Sequence, residues 1–312
     1  MRVSIIAEKL DYELIGGDRE ITGIAYYNEA KKDDIAIVKS KREIEMTESN
    51  IILTKPILTP TKKTLLVTYD DFGMAMDKVC TLLEEEGILT SCNMPSEFKH
   101  HARGYCIANN CTVGNNTTIF PGVIIGNDVK IGANCIIEPN VVIGSNTIIE
   151  RNVVIGSGSK IGADSFFHYY DYSGELCPFN GIGKVIIKSG TKIGSNCVVQ
   201  RGTISDTVIG ETCMIGNCID IGHDVKIGNN CKIVSQTGIA GNAILKNNVL
   251  VYGQVGIAND VIIGNNAVIK AKTIVSKSVN DNQVVFGLFG RNYYEEIKIV
   301  AKIRKVFGRK DD

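Results

Sequence analysis

From Ile107 to Val275 an aliphatic residue returns every six positions, followed by a small residue, two polar residues, a second small residue and one more. The phrases read Ile125-Gly-Asn-Asp-Val-Lys, Ile131-Gly-Ala-Asn-Cys-Ile, Ile143-Gly-Ser-Asn-Thr-Ile and Ile227-Gly-Asn-Asn-Cys-Lys. Aliphatics fall at 107, 113, 119, 125, 131, 137, 143, 149, 155 and 161; the phase breaks, resumes at 187, 193 and 199, slips, and runs unbroken from 209 to 275, giving 25 repeats. Six residues suffice for one short strand and a bend. One such strand cannot bury an apolar face alone, so the coils must stack. The aliphatic is expected inward. The small residue four places later (Val129, Cys135, Thr147, Ser159) is expected where the interior narrows. Glycines and asparagines are expected at the bends, where positive φ costs them little. Spacing alone specifies a β-solenoid and no more.

Lysine plus arginine and aspartate plus glutamate are each 34, a net charge of zero, which argues against a general electrostatic grip on nucleic acid. No apolar stretch reaches the length of an integral membrane segment. The opening Met1-Arg-Val-Ser-Ile-Ile-Ala-Glu acquires an acid too early for a secretory signal. The expectation is a soluble, cytoplasmic protein. Of ten cysteines, Cys111, Cys135, Cys197, Cys213 and Cys231 fall at the small inward place, and no Cys-x-x-Cys pair occurs. They read as free thiols packed as compact hydrophobes.

Three regions follow. Residues 1–98 lack the repeat. Ile21-Thr-Gly-Ile-Ala and Thr64-Leu-Leu-Val-Thr-Tyr read as strands, and Asp70 to Glu86 as a helix stopped by Gly87, so this is a small α/β domain. Residues 99–280 are the solenoid, entered through a linker from Pro95 to Arg103 that carries solvated His100 and His101. Residues 281–312 form a helical tail over Asn292 to Phe307, made basic by Arg291, Lys298, Lys302, Arg304, Lys305, Arg309 and Lys310. The solenoid is broken by Ser165 to Gly183, an aromatic loop expected to cover a ligand, cover a neighbouring subunit or plug a groove.

Among four histidines only His223 lies in the regular repeats, at the third place of its hexad on an outward-facing edge, and Asp224 follows it. A neutral imidazole near pH 7 suits removal of a proton from an attacking amine or hydroxyl, and a carboxylate beside it suits holding its tautomer. An ordinary surface histidine is the alternative. A zinc centre would need three converging histidines, and His223 has no second histidine within the next two coils, so no metal is expected. No cofactor is expected either.

Residues 213–241 resemble the active-site stretch of the UDP-3-O-acylglucosamine N-acyltransferases, hexapeptide-repeat enzymes of lipid A synthesis. Ile221, Gly222, His223 and Asp224 match that family's Ile-Ala-His-Asn, and Gly241 matches the glycine of its Gly-Ile-Ala-Gly. Residues 198–210 resemble its Thr-Ile-Asp-Arg-Gly segment, and the aromatic interruption sits where the family has a Gly-Phe-Gly-Phe loop. Ala7-Glu-Lys-Leu through Gly23-Ile-Ala follows its nucleotide-binding domain, and Val285-Phe-Gly-Leu-Phe-Gly-Arg its segment before a terminal helix. The resemblance implies a mainly β fold: a left-handed parallel β-helix with three repeats per coil, a small N-terminal α/β domain and a C-terminal helix. It implies His223 as general base, with Asp224 beside it, and the Gly241 N–H as oxyanion donor. It also implies a homotrimer, a nucleotide-sugar substrate and an acyl donor carried by acyl carrier protein or coenzyme A. The basic tail suits the acidic carrier, or is a solvated helix face.

The resemblance departs at three places. Where the family stacks uracil on two aromatics, Ile37 and Arg42 stand at the nearest positions. The family's sugar-contacting Asp-Asn pair is Gly216-Asn217, and a second family histidine aligns with Asp260. The His223-Asp224 pair itself resembles the dyad of the related UDP-N-acetylglucosamine O-acyltransferases. The expected activity is N-acyl transfer to a UDP-linked amino sugar. Acyl-coenzyme A-dependent transfer to another nucleotide amino sugar, and a non-catalytic sugar-nucleotide-binding solenoid, stay open.

Overall fold

A computed structural model of the chain describes residues 1–56, 61–90, 93–179, 181–287 and 293–307. Short strands from 106 onward stack into three parallel sheets, the faces of a prism. Every strand pairs with the one three repeats later: Ile125 with Ile143 on the first face, Ile131 with Ile149 on the second, Ile137 with Ile155 on the third. The expected inward aliphatics from Ile119 to Val275 form one continuous buried column, and Val285 adds a further rung beyond the counted repeats. Ile161 pairs with Val199 across the aromatic insertion, and Val199 with Ile221 across a slip of four residues. The irregular segments are therefore looped out while the ladder continues. Val129, Cys135, Thr147 and Ser159 are all fully buried at the narrow place. Nine cysteines, all those among the described residues, are free.

The bends divide their labour in a way the sequence reading only half anticipated. Positive φ belongs to the fourth place of the hexad: Asn134, Asn140, Asn146 and Asn152 lie at φ 57 to 63°. Asparagine tolerates this region because its short amide side chain can hydrogen-bond locally. The second-place glycines have another reason. A Cβ on Gly132 would stand 2.6 Å from the Arg151 nitrogen, and one on Gly156 2.5 Å from the Gly194 carbonyl carbon. They are small because the next coil passes against them. Gly132→Ala is expected to cost about 1–3 kcal/mol by overpacking and to lower the melting temperature by roughly 2–10 °C. A thermal unfolding scan checks this; an unchanged midpoint would mean that the coils spread freely.

The third-place polar residue links coils. Asn229 Oδ1 accepts from Glu211 N at 2.9 Å, Asn247 Oδ1 from Asn229 N at 2.8 Å, and Asn265 Oδ1 from Asn247 N at 3.1 Å. This satisfies bend amides that have no partner in a strand.

The N-terminal unit is a five-stranded sheet in the order β1-β5-β4-β3-β2: β1 (Glu13–Ile15), β2 (Gly23–Tyr26), β3 (Asp34–Ile37), β4 (Ile51–Thr54) and β5 (Thr64–Val67). Helices α1 (Val3–Leu10) and α3 (Phe72–Glu85) cover one side, while α2 (Lys41–Met46) is short. Asp71 caps α3 by accepting from Gly73 N at 2.8 Å. Buried Ile6, Ile35, Leu53, Val79 and Leu83 share one cluster with Phe179 of the aromatic insertion and Ile204 of the slip. The N-terminal core thus packs on the two segments looped out of the solenoid. In the linker, His100 and His101 are exposed, but Lys99–His100 pairs as a strand with Cys106–Ile107, and His101 stacks on Tyr105 at 4.3 Å.

The aromatic insertion folds as a hairpin, His168–Tyr170 against Leu176–Pro178, docked on α3 of its own chain. Tyr169 donates to Asp77 at 2.8 Å, and Tyr172 donates to Asp70. Asp70 also receives Tyr12 at 2.8 Å and Lys78 at 2.8 Å. Burial pushes the Asp70 carboxyl up, but the bonds from Lys78, Tyr172 and Tyr12 outweigh it and hold the group below its ordinary value. A depressed folded value stabilises the fold at pH above the unfolded carboxylate range, about 3.9, and that contribution disappears as the pH falls through the folded value. Asp70→Asn is therefore expected to be less stable than the parent at pH 7, with the gap narrowing from about pH 4 and closing once the pH is below the depressed folded value. Denaturant midpoints across pH test this, and a gap that persists at low pH would contradict it.

The tail residues described form α4 (Tyr293–Phe307). Lys298, Lys302, Arg304 and Lys305 are exposed on it, whereas Arg291, Arg309, Lys310 and part of the 285–291 stretch lie outside the described residues.

Candidate active site

The turns leading from the first face to the second form one edge of the prism. His223 and Asp224 occupy this edge on one coil, Gly241 and Asn242 on the next, and Asp260 on the one after. The coils are tied in sequence: Asn242 N donates to His223 O at 2.9 Å, and Asp260 N to Gly241 O at 3.2 Å.

Asp224 sits at the fourth place, φ 59°, where the bend favours Asn or Asp. His223 Nδ1 lies 2.8 Å from Asp224 Oδ2. The carboxylate has three further donors. Thr203 N reaches Oδ2 at 3.0 Å, Thr203 Oγ1 reaches it at 2.5 Å, and Ser205 N reaches Oδ1 at 2.9 Å. Those donors come from the four-residue slip between 199 and 209, so the irregularity in the repeat is the cradle of Asp224. Such a donor set suits an ionised carboxylate, which can only accept.

The structure corrects the expected exposure of His223: its relative accessibility is 6 %, and that of Asp224 is 4 %. The hexad phase gives the direction in which a side chain leaves its coil, not what other segments lay over it. Phe167 of the hairpin meets the imidazole edge-on at 5.8 Å. Below, the ring rests on Gly241, where a Cβ would stand 2.5 Å from both Cε1 and Nε2. Nδ1 is committed to Asp224, which leaves Nε2 to take a proton. Among the described residues, neither Nε2 nor the Gly241 N–H makes a hydrogen bond. The Gly241 backbone is thus in close contact with the Cε1–Nε2 edge of the ring.

A cleft of about 310 Å³ opens beside this edge, between the N-terminal unit and the solenoid. Tyr26, Tyr27, Glu29, Ile37, Lys39 and Glu43 line it from one side, and Asp224, Lys226, Asn242 and Asp260 from the other. Three expected site residues, Ile37, Asp224 and Asp260, therefore line one cleft from its two sides; the His223 ring is not in the lining and packs under Phe167. Arg42 is exposed on α2 and is not in the lining, because its neighbour Glu43 takes the inward place. Gly216 and Asn217 lie on a different edge, between the third and first faces. There Asn217 Oδ1 accepts from Ser195 N at 2.9 Å, the same coil-linking duty as Asn229 and Asn247, so within one chain the pair is not brought to His223.

The sequence reading missed Tyr26 and Tyr27. They supply the aromatic surface that Ile37 and Arg42 lack, and their adjacency just after Gly23-Ile-Ala was the available signal. It also missed Glu29, which accepts from Ser205 Oγ at 2.7 Å and pairs with Lys226 at 3.3 Å. Among the described residues no group of three or more His, Cys, Asp or Glu side chains is placed to hold a metal ion, and no helix is long and apolar enough to cross a membrane.

Comparison with known proteins places these features among relatives. Residues 110–145 and 206–241 match the family model for bacterial transferase hexapeptide repeats, and residues 135–165 match the hexapeptide repeat of succinyl-transferase. A segment of 69 residues is 42% identical to UDP-3-O-acylglucosamine N-acyltransferase of Sinorhizobium fredii, over 22% of this chain and 20% of that protein. The enzyme of the same name from Coxiella burnetii is 39% identical over 69 residues, again 22% of this chain and 20% of that protein. The matched region spans about one fifth of the length of these relatives. Among solved structures, UDP-N-acetylglucosamine acyltransferase of Francisella novicida superposes with a TM-score of 0.54 at 25% identity, over 69% of this chain and 81% of that one. The Arabidopsis UDP-N-acetylglucosamine acyltransferase gives a TM-score of 0.53 at 22% identity, over 67% and 77%, and shows the shared fold.

Proposed function

We propose that the chain is an N-acyltransferase. It moves an acyl group, in our reading a 3-hydroxyacyl group, from a thioester carrier to the amine of a UDP-linked amino sugar. The observation that carries this is the buried His223–Asp224 pair, 2.8 Å apart, seated on Gly241 at the edge of a cleft with aromatic and charged walls. Names borne by the relatives over the matched segment support the reaction class.

In this reading His223 Nε2 accepts the proton as the sugar amine attacks the thioester carbonyl. Asp224 holds the Nδ1–H tautomer and offsets the imidazolium charge. The Gly241 N–H stabilises the oxyanion, and being backbone it needs no reorganisation as charge develops. Collapse of the tetrahedral adduct expels the thiolate, which takes the proton from the imidazolium and leaves an amide and a free thiol. Residues 1–98 hold the nucleotide, with Tyr26, Tyr27 and Ile37 against the base and Lys39 or Lys226 toward its phosphates. Residues 99–280 carry the chemistry. In the tail 281–312, exposed Lys298, Lys302, Arg304 and Lys305 suit an acidic carrier protein. We further propose a homotrimer, which would cover exposed outward residues such as Ile136, Met214 and Ile262 and bring Asn217 of one copy toward the cleft of another.

A second reading is O-acylation, favoured by the structural likeness to the Francisella UDP-N-acetylglucosamine acyltransferase and by the dyad itself. The product separates the two. Acyl thioester is supplied with UDP-linked sugars bearing a free amine or an acetamide, and the product is treated with hydroxylamine. Our reading predicts a resistant amide formed only on the free amine. A hydroxylamine-labile ester would replace it with the second reading.

A further inference from the structure

The dyad does not end at Asp224. Tyr26, the last residue of β2, places its hydroxyl 3.1 Å from Thr203 Oγ1. Thr203 is fully buried, and its single hydroxyl proton is directed at Asp224 Oδ2, 2.5 Å away. A hydroxyl that donates in one direction accepts in the other, so Tyr26 is the donor to Thr203. The order is Tyr26 to Thr203 to Asp224, with His223 donating to the same carboxylate from the far side. This links a wall residue of the cleft to the imidazole through three hydrogen bonds. The same three-residue stretch of solenoid is gripped a second time, by Glu29 on Ser205 Oγ. The N-terminal unit therefore holds, by their hydroxyls, both residues whose backbone amides cradle Asp224.

We propose that Tyr26 is a positioning residue for the dyad: its hydroxyl fixes the Thr203 rotor and thereby the carboxylate that sets the His223 tautomer, so the N-terminal unit tunes the base as well as lining the nucleotide cleft. Chains of hydrogen bonds polarise one another, and the terminal donor decides which way the middle hydroxyl points. Without Tyr26, Thr203 is free to turn its proton elsewhere, and Asp224 Oδ2 loses one of its three donors. The inference rests on His223 acting as the base, but one of its readouts does not.

The test is Tyr26→Phe, which removes one oxygen and keeps the ring. Two measurements are made on the full chain. In the first, the protein is labelled with ¹⁵N-histidine, and the His223 resonances are assigned by their loss in His223→Gln. The parent is expected to show the Nδ1–H tautomer alone, and Tyr26→Phe a mixture with Nε2–H. In the second, kcat is expected to fall about tenfold while KM for the nucleotide sugar stays within about twofold; loss of a simple substrate contact would move KM instead. Thr203→Val is expected to give a similar fall, and the double variant no more than the larger single effect. A single unchanged tautomer together with unchanged kcat in Tyr26→Phe overturns the relay. Full activity in His223→Gln would instead sink the assignment of the base, while the tautomer comparison would still decide whether the relay exists.

Discussion

His223→Ala is expected to lower acyl transfer by at least about a hundredfold while leaving the fold intact. The imidazole contributes no hydrogen bond to the ladder; its backbone carbonyl, which accepts from Asn242 N, is untouched by the substitution. Truncation leaves a hollow between Phe167 and Gly241, so some stability is lost, yet the column of buried aliphatics beneath is unaffected. Circular dichroism and the elution volume should match the parent. The loss should appear in kcat with little change in KM for the nucleotide sugar, because the ring lies behind the cleft wall. Parent-like turnover in a folded His223→Ala would remove this side chain from the mechanism.

Asp224→Asn is expected to be as damaging or more so, by about 10³–10⁴-fold in kcat. The carboxylate receives four donors on two oxygens. An amide offers one oxygen and one NH₂, so whichever way it turns, at least one donor meets an N–H: three at the Oδ2 place or one at the Oδ1 place. If the NH₂ takes the Oδ2 place, it faces Thr203 N, Thr203 Oγ1 and His223 Nδ1–H. The imidazole must then shift to the Nε2–H tautomer, which has no lone pair where the sugar amine arrives. If the NH₂ takes the Oδ1 place, it opposes Ser205 N. Either arrangement leaves a buried donor unsatisfied, about 1–3 kcal/mol, so a lower melting temperature should accompany the lost turnover. A variant with normal kcat would show that the pair is structural, a bend residue touching a buried histidine.

The repeat could be read from the chain because its period is a local property: a missing aliphatic would expose its coil at once, so the phase survives wherever coils stack. The role of the second-place glycines was not local. Gly132 is small because Arg151 passes above it, and that neighbour is known only when the coil pitch is known. The site divides in the same way. His223, Asp224 and Gly241 fall on one edge because they are spaced by a coil, which the hexad phase contains. The cover over His223 comes from residue 167, on a looped-out hairpin, and the donors to Asp224 from the slip at 203–205, where the periodic signal stops. Asn217 was assigned by analogy to a sugar contact, yet it occupies the third place of a hexad and performs the coil-linking task of that place. Tyr26 and Tyr27 belong to a unit without a repeat, whose docking on the solenoid through Phe179 and Ile204 no periodicity announces.

The decisive measurement is the stoichiometry of thiol release and sugar acylation. The full chain is incubated with 3-hydroxyacyl carrier protein, or the coenzyme A thioester, and a UDP-linked amino sugar, and both products are quantified by mass spectrometry. The account predicts one acylated nucleotide sugar per thiol freed, with both lowered together by at least about a hundredfold in His223→Ala. Binding of the nucleotide sugar without consumption of any thioester would contradict it and leave a solenoid that holds its ligand unreacted.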